Sequence, residues 1–69
     1  MAIGTVKWFN TRKGYGFIAP DEGDKDVFVH ITEVQNSGLS GLAEGQRISF
    51  EVMDEPKGLK AVELAAVEA

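Results

Sequence analysis

Apolar residues in this chain fall in short segments that alternate with polar positions, a pattern typical of β-strands. Clusters of Gly, Asp, Asn, Ser or Pro separate the segments, and 8 glycines are spread along the chain. The pattern predicts five strands, with a long loop before the fourth, at residues 4–10, 15–20, 26–30, 47–53 and 61–65. The expected fold class is therefore all-β.

The last predicted strand has an alternative. Ala, Leu, Glu and Lys dominate residues 59–69, and these residue types also favour a helix. An isolated helix shorter than about 12 residues is marginal in water, whereas a fifth strand would close a small sheet into a barrel without exposed edges. The context favours a strand.

The second and third strands form a predicted hairpin with two apolar faces. A loop centred near residues 22–23 sets Phe17 opposite Phe28 and Tyr15 opposite His30. Because side chains alternate across a strand, these aromatic residues share one face and the aliphatic residues share the other.

Polar residues decide which face is the core, because a buried unpaired charge costs far more than an exposed ring. The aromatic face carries Lys13, Asp26 and His30, and the aliphatic face carries no polar side chain. On the aliphatic face, Gly14 and Gly16 would allow another strand to approach closely. The residues expected to point inward are Ile18, Val27 and Val29.

Trp8 requires an irregular first strand if it is to join the aromatic face. It shares strand parity with Val6, so strict alternation would place both in the core. A bend or bulge in the first strand would release Trp8 toward solvent. Phe9 is expected to pack against the core and Phe50 to lie within it.

The charge distribution changes the interpretation of the aromatic face. The formal net charge of -4 argues at first against nucleic acid. However, Lys7, Arg12 and Lys13 are the charged residues of the first 20, and all 11 acidic residues follow them. Rings stack on unpaired bases at about 1–3 kcal/mol each, and cations hold phosphates. Rings bordered by cations therefore predict binding of single-stranded RNA or DNA.

Other functions find less support in the sequence. His30 is the only histidine and there is no cysteine, so a metal or catalytic site would depend on His30 and carboxylates alone. No phosphate-loop or Rossmann glycine pattern is present. We expect a single domain of residues 1–69 that is not an enzyme and has no metal, cofactor or small-molecule substrate.

The N-terminus lacks a long apolar segment, and no apolar run approaches the roughly 20 residues that span a bilayer. A cytoplasmic protein with no membrane partner is expected.

Three motifs carry a family resemblance. KGYGFI resembles the first ribonucleoprotein motif and VFVHI the second, and with GTVKWFN ahead of them the chain resembles the bacterial cold-shock proteins from end to end. RNA-recognition-motif domains carry the two motifs in the opposite order and need two helices. The resemblance implies a five-stranded antiparallel OB-fold barrel, here expected to be a monomer. It also implies an RNA chaperone that binds single strands with little sequence preference and keeps RNA unstructured.

The resemblance also implies a set of binding positions. Two positions depart from the family pattern, because Ile31 and Leu39 stand where an aromatic residue is usual. Fewer stacking contacts predict weaker binding than in fully aromatic relatives. The predicted nucleic-acid-binding residues are Lys7, Trp8, Asn10, Lys13, Tyr15, Phe17, Asp26, Phe28, His30, Ile31 and Lys57.

Two functions of other classes remain open from the sequence. A small SH3-like barrel could bind a proline-rich peptide through the same rings. A hydrolase built on His30 and a carboxylate would show a bell-shaped pH-rate profile, although the sequence nominates no substrate for it.

Overall fold

The computed structural model describes residues 2–23 and 25–67, which form five strands and one short helix. The elements are β1 (Ala2–Asn10), β2 (Tyr15–Pro20), β3 (Val27–His30), α1 (Ile31–Asn36), β4 (Arg47–Glu55) and β5 (Gly58–Ala66). All five predicted strands are confirmed, including β5, for which a helix was the alternative. β1, β4 and β5 extend past their predicted ends, and β3 begins one residue later than predicted.

The strands close into a barrel in the order β1-β2-β3-β5-β4. Four of the five neighbouring pairs are antiparallel, whereas β3 and β5 run parallel and are joined at Phe28 and Lys60. The expectation of a purely antiparallel barrel is therefore wrong at this one seam. The reason is topological: strand direction cannot alternate all the way round a closed ring with an odd number of members.

The short helix α1 lies in the segment that was expected to be a loop. Val34 is fully buried and is the only buried residue of α1. A helix of six residues is too short to show a recognisable apolar period, which explains why the sequence pattern did not reveal it.

The barrel core follows the predicted division of the hairpin. Ile18, Val27 and Val29 are fully buried, and Phe50 joins them as predicted. Phe9 is partly buried and packs against this core, also as predicted. The remaining core residues are Val6, Val34, Leu42, Ile48, Ala61 and Leu64.

A β-bulge interrupts β1, the strand in which a bend or bulge was expected to release Trp8. Val6 pairs with Ile18 and Trp8 pairs with Phe17, so that Lys7 has no counterpart on β2. The extra residue reverses the alternation of side chains, and Val6 points into the core while Trp8 is 39% exposed.

A second irregularity lies between β4 and β5. Two residues of β5, Glu63 and Leu64, lie opposite the single residue Phe50. Glu63 has a φ of 51°, in the left-handed region. This bulge lets Ala61 and Leu64, three positions apart, both face the core.

Gly16 allows β1 and β2 to lie unusually close together. A Cβ atom at Gly16 would lie 2.4 Å from the carbonyl oxygen of Trp8 and 2.7 Å from the Cα of Phe9. The expected close approach is thus confirmed at Gly16. Gly14 differs from that expectation, because it lies in the turn before β2 with a φ of 80°.

An exposed ion pair links β4 to the segment after β2. The Arg47 guanidinium donates one hydrogen bond to Oδ1 of Asp21 at 2.6 Å and another to Oγ1 of Thr5 at 3.0 Å. Its second terminal nitrogen donates to Oδ2 of Asp21, so the contact is bidentate. The hydrogen bonds from Arg47 lower the pKa of the Asp21 carboxyl.

We predict that Gly16→Ala destabilises the fold by about 1–3 kcal/mol, because the methyl group would overlap the backbone of β1. Thermal unfolding followed by circular dichroism measures the effect. Gly41→Ala is the matched control, since its Cβ would meet nothing closer than Thr11 Cγ2 at 3.9 Å. Equal melting temperatures for the two variants would contradict the close approach.

We also predict that Asp21→Asn lowers the melting temperature at neutral pH and that the loss disappears in acid. The pKa of Asp21 is lower in the folded chain than its ordinary value of 3.8, so the ionised carboxylate stabilises the fold above that pH. This contribution is lost as the pH falls through the folded pKa. The melting temperatures of parent and variant should therefore begin to converge as the pH falls below about 5 and should meet only below the folded pKa of Asp21.

Glu22→Gln serves as the control for that comparison, because it removes an exposed acid from the same loop. A difference between parent and Asp21→Asn that stays constant with pH would show that the charge of Asp21 is not what stabilises the fold.

Candidate nucleic-acid interface

Five rings from three adjacent strands form a continuous surface on the outside of the barrel. The closest ring centroids, those of Trp8 and Phe17, are 5.4 Å apart, and the most distant neighbours, Phe28 and His30, are 6.2 Å apart. All neighbouring pairs are tilted or edge-on, so the rings do not stack flat on one another. We call this surface the aromatic face; it consists of Trp8, Tyr15, Phe17, Phe28 and His30.

The register of three strands positions these rings. Tyr15 lies opposite His30 and Phe17 opposite Phe28, as the hairpin pattern predicted. The bulge in β1 adds Trp8 beside Phe17. Trp8 is exposed, and the other four rings are half-buried against their neighbours. The aromatic face is therefore partly supported by its own packing and keeps part of each ring in solvent.

A groove of about 750 Å³ separates the aromatic face from the turn between β4 and β5. Lys57, a predicted binding residue, lies in its far wall. Pro56 and Lys60, which sequence reasoning missed, also line the groove. The parallel seam explains why Lys60 was missed, because it sets Lys60 beside Phe28, and no alternation pattern within one hairpin indicates such a neighbour. The groove is lined by Phe17, Phe28, His30, Thr32 and residues 55–60.

The cations predicted to border the aromatic face differ in whether a carboxylate pairs with them. Nζ of Lys7 lies 3.0 Å from Oδ2 of Asp26, and their side chains are 52% and 41% exposed. Arg12 and Lys13 are exposed in the turn between β1 and β2, and neither forms an ion pair within residues 2–23 and 25–67. Lys7 is thus already paired with a carboxylate, whereas Lys13 is not.

Asn10 stabilises the turn that carries Arg12 and Lys13. Its Oδ1 accepts hydrogen bonds from the backbone N–H groups of Arg12 and Lys13, both at 3.0 Å. This is the local side-chain contact by which Asn favours turns. The side chain predicted as a binding residue therefore has a structural role in placing Lys13.

His30 belongs to both the aromatic face and the start of α1. Its Nδ1 accepts a hydrogen bond from the backbone N–H of Thr32 at 3.2 Å and lies 3.0 Å from Oγ1 of Thr32. Because Nδ1 is an acceptor there, a neutral ring carries its hydrogen on Nε2. His30 lines the groove, and its neutral ring can therefore offer a flat surface and one donor, Nε2.

Ile31 and Leu39, the two residues that stand where an aromatic ring is usual, both direct their side chains toward the core. Ile31 and Leu39 are partly buried and pack against the core cluster. The backbone N–H of Ile31 also donates to the carbonyl of Gly14 at 2.9 Å. Ile31 is thus held both by the packing of its side chain and by a backbone hydrogen bond.

The described parts of the chain hold no group of three or more His, Asp or Glu side chains arranged to bind a metal ion. No helix in them is long and apolar enough to cross a membrane.

The chain is similar to a known family along nearly all its length. The 'Cold-shock' DNA-binding domain matches residues 2–67. The chain is 57% identical over 61 residues to the major cold shock protein of Micrococcus luteus, and 59% identical over 61 residues to the probable cold shock protein A of Mycolicibacterium smegmatis. Each of these matches covers 88% of this chain and 91% of the relative. The cold shock-like protein CspC of Shigella flexneri is 55% identical over 64 residues, which is 93% of each chain.

Proposed function

The chain belongs to the cold-shock domain family and binds single-stranded RNA and DNA as an RNA chaperone, and we propose that the aromatic face is its binding surface. One observation carries this proposal: the rings form an unbroken row from Trp8 to His30, with neighbours at most 6.2 Å apart. Successive bases of a splayed strand stack on such a row.

Each group at the surface has a distinct role in the proposal. The rings stack on bases, and the exposed ammonium group of Lys13 holds the backbone phosphates. Lys57 and Lys60 also line the groove and contact the nucleic-acid strand there. Because β2 and β3 hold Phe17 and Phe28 before the ligand arrives, little side-chain freedom is lost on binding.

Stacking on bases also explains the chaperone action. Bases in a duplex are stacked on one another, so the aromatic face captures only those that have opened. RNA that opens transiently is then held open without ATP. The acidic residues, all beyond Pro20, repel a duplex laid across the rest of the barrel and favour single strands further.

We propose further that the chain acts in the cytoplasm as a monomeric, single-domain protein without catalytic activity. Binding to the aromatic face uses Tyr15, Phe17, Phe28 and His30 without requiring any chemical step. Family membership favours nucleic acid over a proline-rich peptide as the ligand. Trp8 is the only tryptophan, so its fluorescence, followed while each ligand is titrated separately, shows which of the two ligands binds.

The double variant Phe17→Ala/Phe28→Ala tests the proposed surface. Removing two stacking rings, at about 1–3 kcal/mol each, is expected to abolish binding of a heptathymidine in a Trp8 fluorescence titration. The fold should persist, because both rings lie outside the core cluster. Ile3→Ala is the control, since it truncates an apolar side chain that is 41% exposed elsewhere on β1. Unchanged affinity in the folded double variant would disprove the proposed surface.

Ile31→Phe tests whether an additional ring strengthens binding. If the new ring reaches a base, affinity for the same oligonucleotide should rise by up to the stacking value of about 1–3 kcal/mol. Ile31→Leu is the matched control, because it keeps an apolar side chain without a ring. Equal affinities for Phe and Leu at this position would show that the site does not use a ring there.

A further inference from the structure

Thr32 makes two polar contacts with the ring of His30. Nδ1 of His30 lies 3.0 Å from Oγ1 of Thr32 and 3.2 Å from the backbone nitrogen of the same residue. Because the backbone N–H donates to Nδ1, that atom carries no hydrogen, and the hydroxyl group must also be the donor in its contact. Two donors of one residue therefore converge on a single ring nitrogen.

The other ring nitrogen is left for a ligand. Nε2 carries the hydrogen of the neutral ring and has no hydrogen-bond partner among residues 2–23 and 25–67. His30 and Thr32 both line the groove beside the aromatic face. The lining includes the Glu55 carboxylate, but its other charged groups are the ammonium groups of Lys57 and Lys60, which only donate. This part of the groove suits an oxygen acceptor on the nucleic acid.

We propose that Thr32 is a positioning residue that holds His30 so that Nε2 donates a hydrogen bond to an oxygen of the bound strand, on a base or a phosphate. This inference rests on the proposed function of the aromatic face. Stacking alone does not require it, because a ring stacks in either orientation. Without the hydroxyl group, the ring is free to turn and to exchange its hydrogen between the nitrogens, and affinity falls with the fraction of correctly placed donors.

Thr32 can be changed without disturbing the barrel core. It is exposed at the second position of α1, and that helix is anchored by the fully buried Val34. Thr32→Val keeps the branched shape and removes the hydroxyl group, whereas Thr32→Ser keeps the hydroxyl group. The two variants separate the effect of the donor from that of the side-chain shape.

Nitrogen-15 NMR reports the state of the ring directly. His30 is the only histidine, so the resonances of its two ring nitrogens are free of overlap with those of another imidazole. Spectra are recorded at alkaline pH, where the ring is neutral. We expect Thr32→Val to move the Nδ1 resonance toward that of free histidine and Thr32→Ser to keep it at the position of the parent.

Trp8 fluorescence titrations with heptathymidine and heptacytidine measure the effect on binding. Thymine has an acceptor, O4, where cytosine has an amino group. We expect Thr32→Val to bind heptathymidine about twofold to tenfold more weakly, which is the contribution of one hydrogen bond, and Thr32→Ser to bind it as the parent does. A loss confined to heptathymidine would identify the base carbonyl as the acceptor, and an equal loss for both oligonucleotides an oxygen that they share.

The same substitution in a His30→Phe background separates positioning from direct contact, because Thr32 itself lines the groove. Phenylalanine keeps a stacking ring but has no ring nitrogen, so adding Thr32→Val should leave the affinity of that background unchanged. Thr11→Val is the matched control, since Thr11 is an exposed threonine outside the groove. It should bind both oligonucleotides as the parent does.

Two results would overturn the inference. Equal losses from Thr32→Val in the parent and in the His30→Phe background would mean that the hydroxyl group contacts the strand directly. An Nδ1 resonance that Thr32→Val leaves in place would mean that the hydroxyl group does not hold the ring. A folded parent that failed to bind heptathymidine would instead show that the proposed function of the aromatic face is wrong.

Discussion

The close backbone approach of β1 to Gly16 determines how both faces of the barrel wall are arranged. With no side chain at Gly16, the backbone at Trp8 and Phe9 lies directly against β2. Phe9 can then pack on the core side while Trp8 turns outward beside Phe17. A larger residue at this point would separate the strands, and the aromatic face would lose its first ring as the core lost its packing. Stability and ligand binding thus depend on the same contact.

The local features of the fold were predictable because they follow from strand alternation. A two-residue period and one assumed loop position give the pairs Tyr15–His30 and Phe17–Phe28, and the placement of polar residues identifies the buried face. An irregularity in β1 could also be foreseen, because strict alternation would bury Trp8 together with Val6, whereas the family resemblance implies that Trp8 lies on the binding surface. Each of these inferences uses residues close together in the chain or in one hairpin.

Features that depend on distant segments were harder to predict. The pairing of Phe28 with Lys60 arises only when the barrel closes, and so does the groove that includes Lys57. The parallel direction of that seam follows from a closed ring of five strands, but the sequence pattern of either strand contains no sign of it. The contact between Lys7 and Asp26 likewise depends on a side-chain reach that strand periodicity does not describe.

The side chain at position 30 must meet two structural requirements at once. Its ring completes the aromatic face, and its Nδ1 caps the first turn of α1 through the N–H of Thr32. Phenylalanine, tyrosine and tryptophan would supply the ring but no acceptor close to the backbone, and asparagine, aspartate or serine would supply the acceptor but no ring. Histidine is the one standard residue that combines both, so this position cannot be improved for either purpose without a cost to the other.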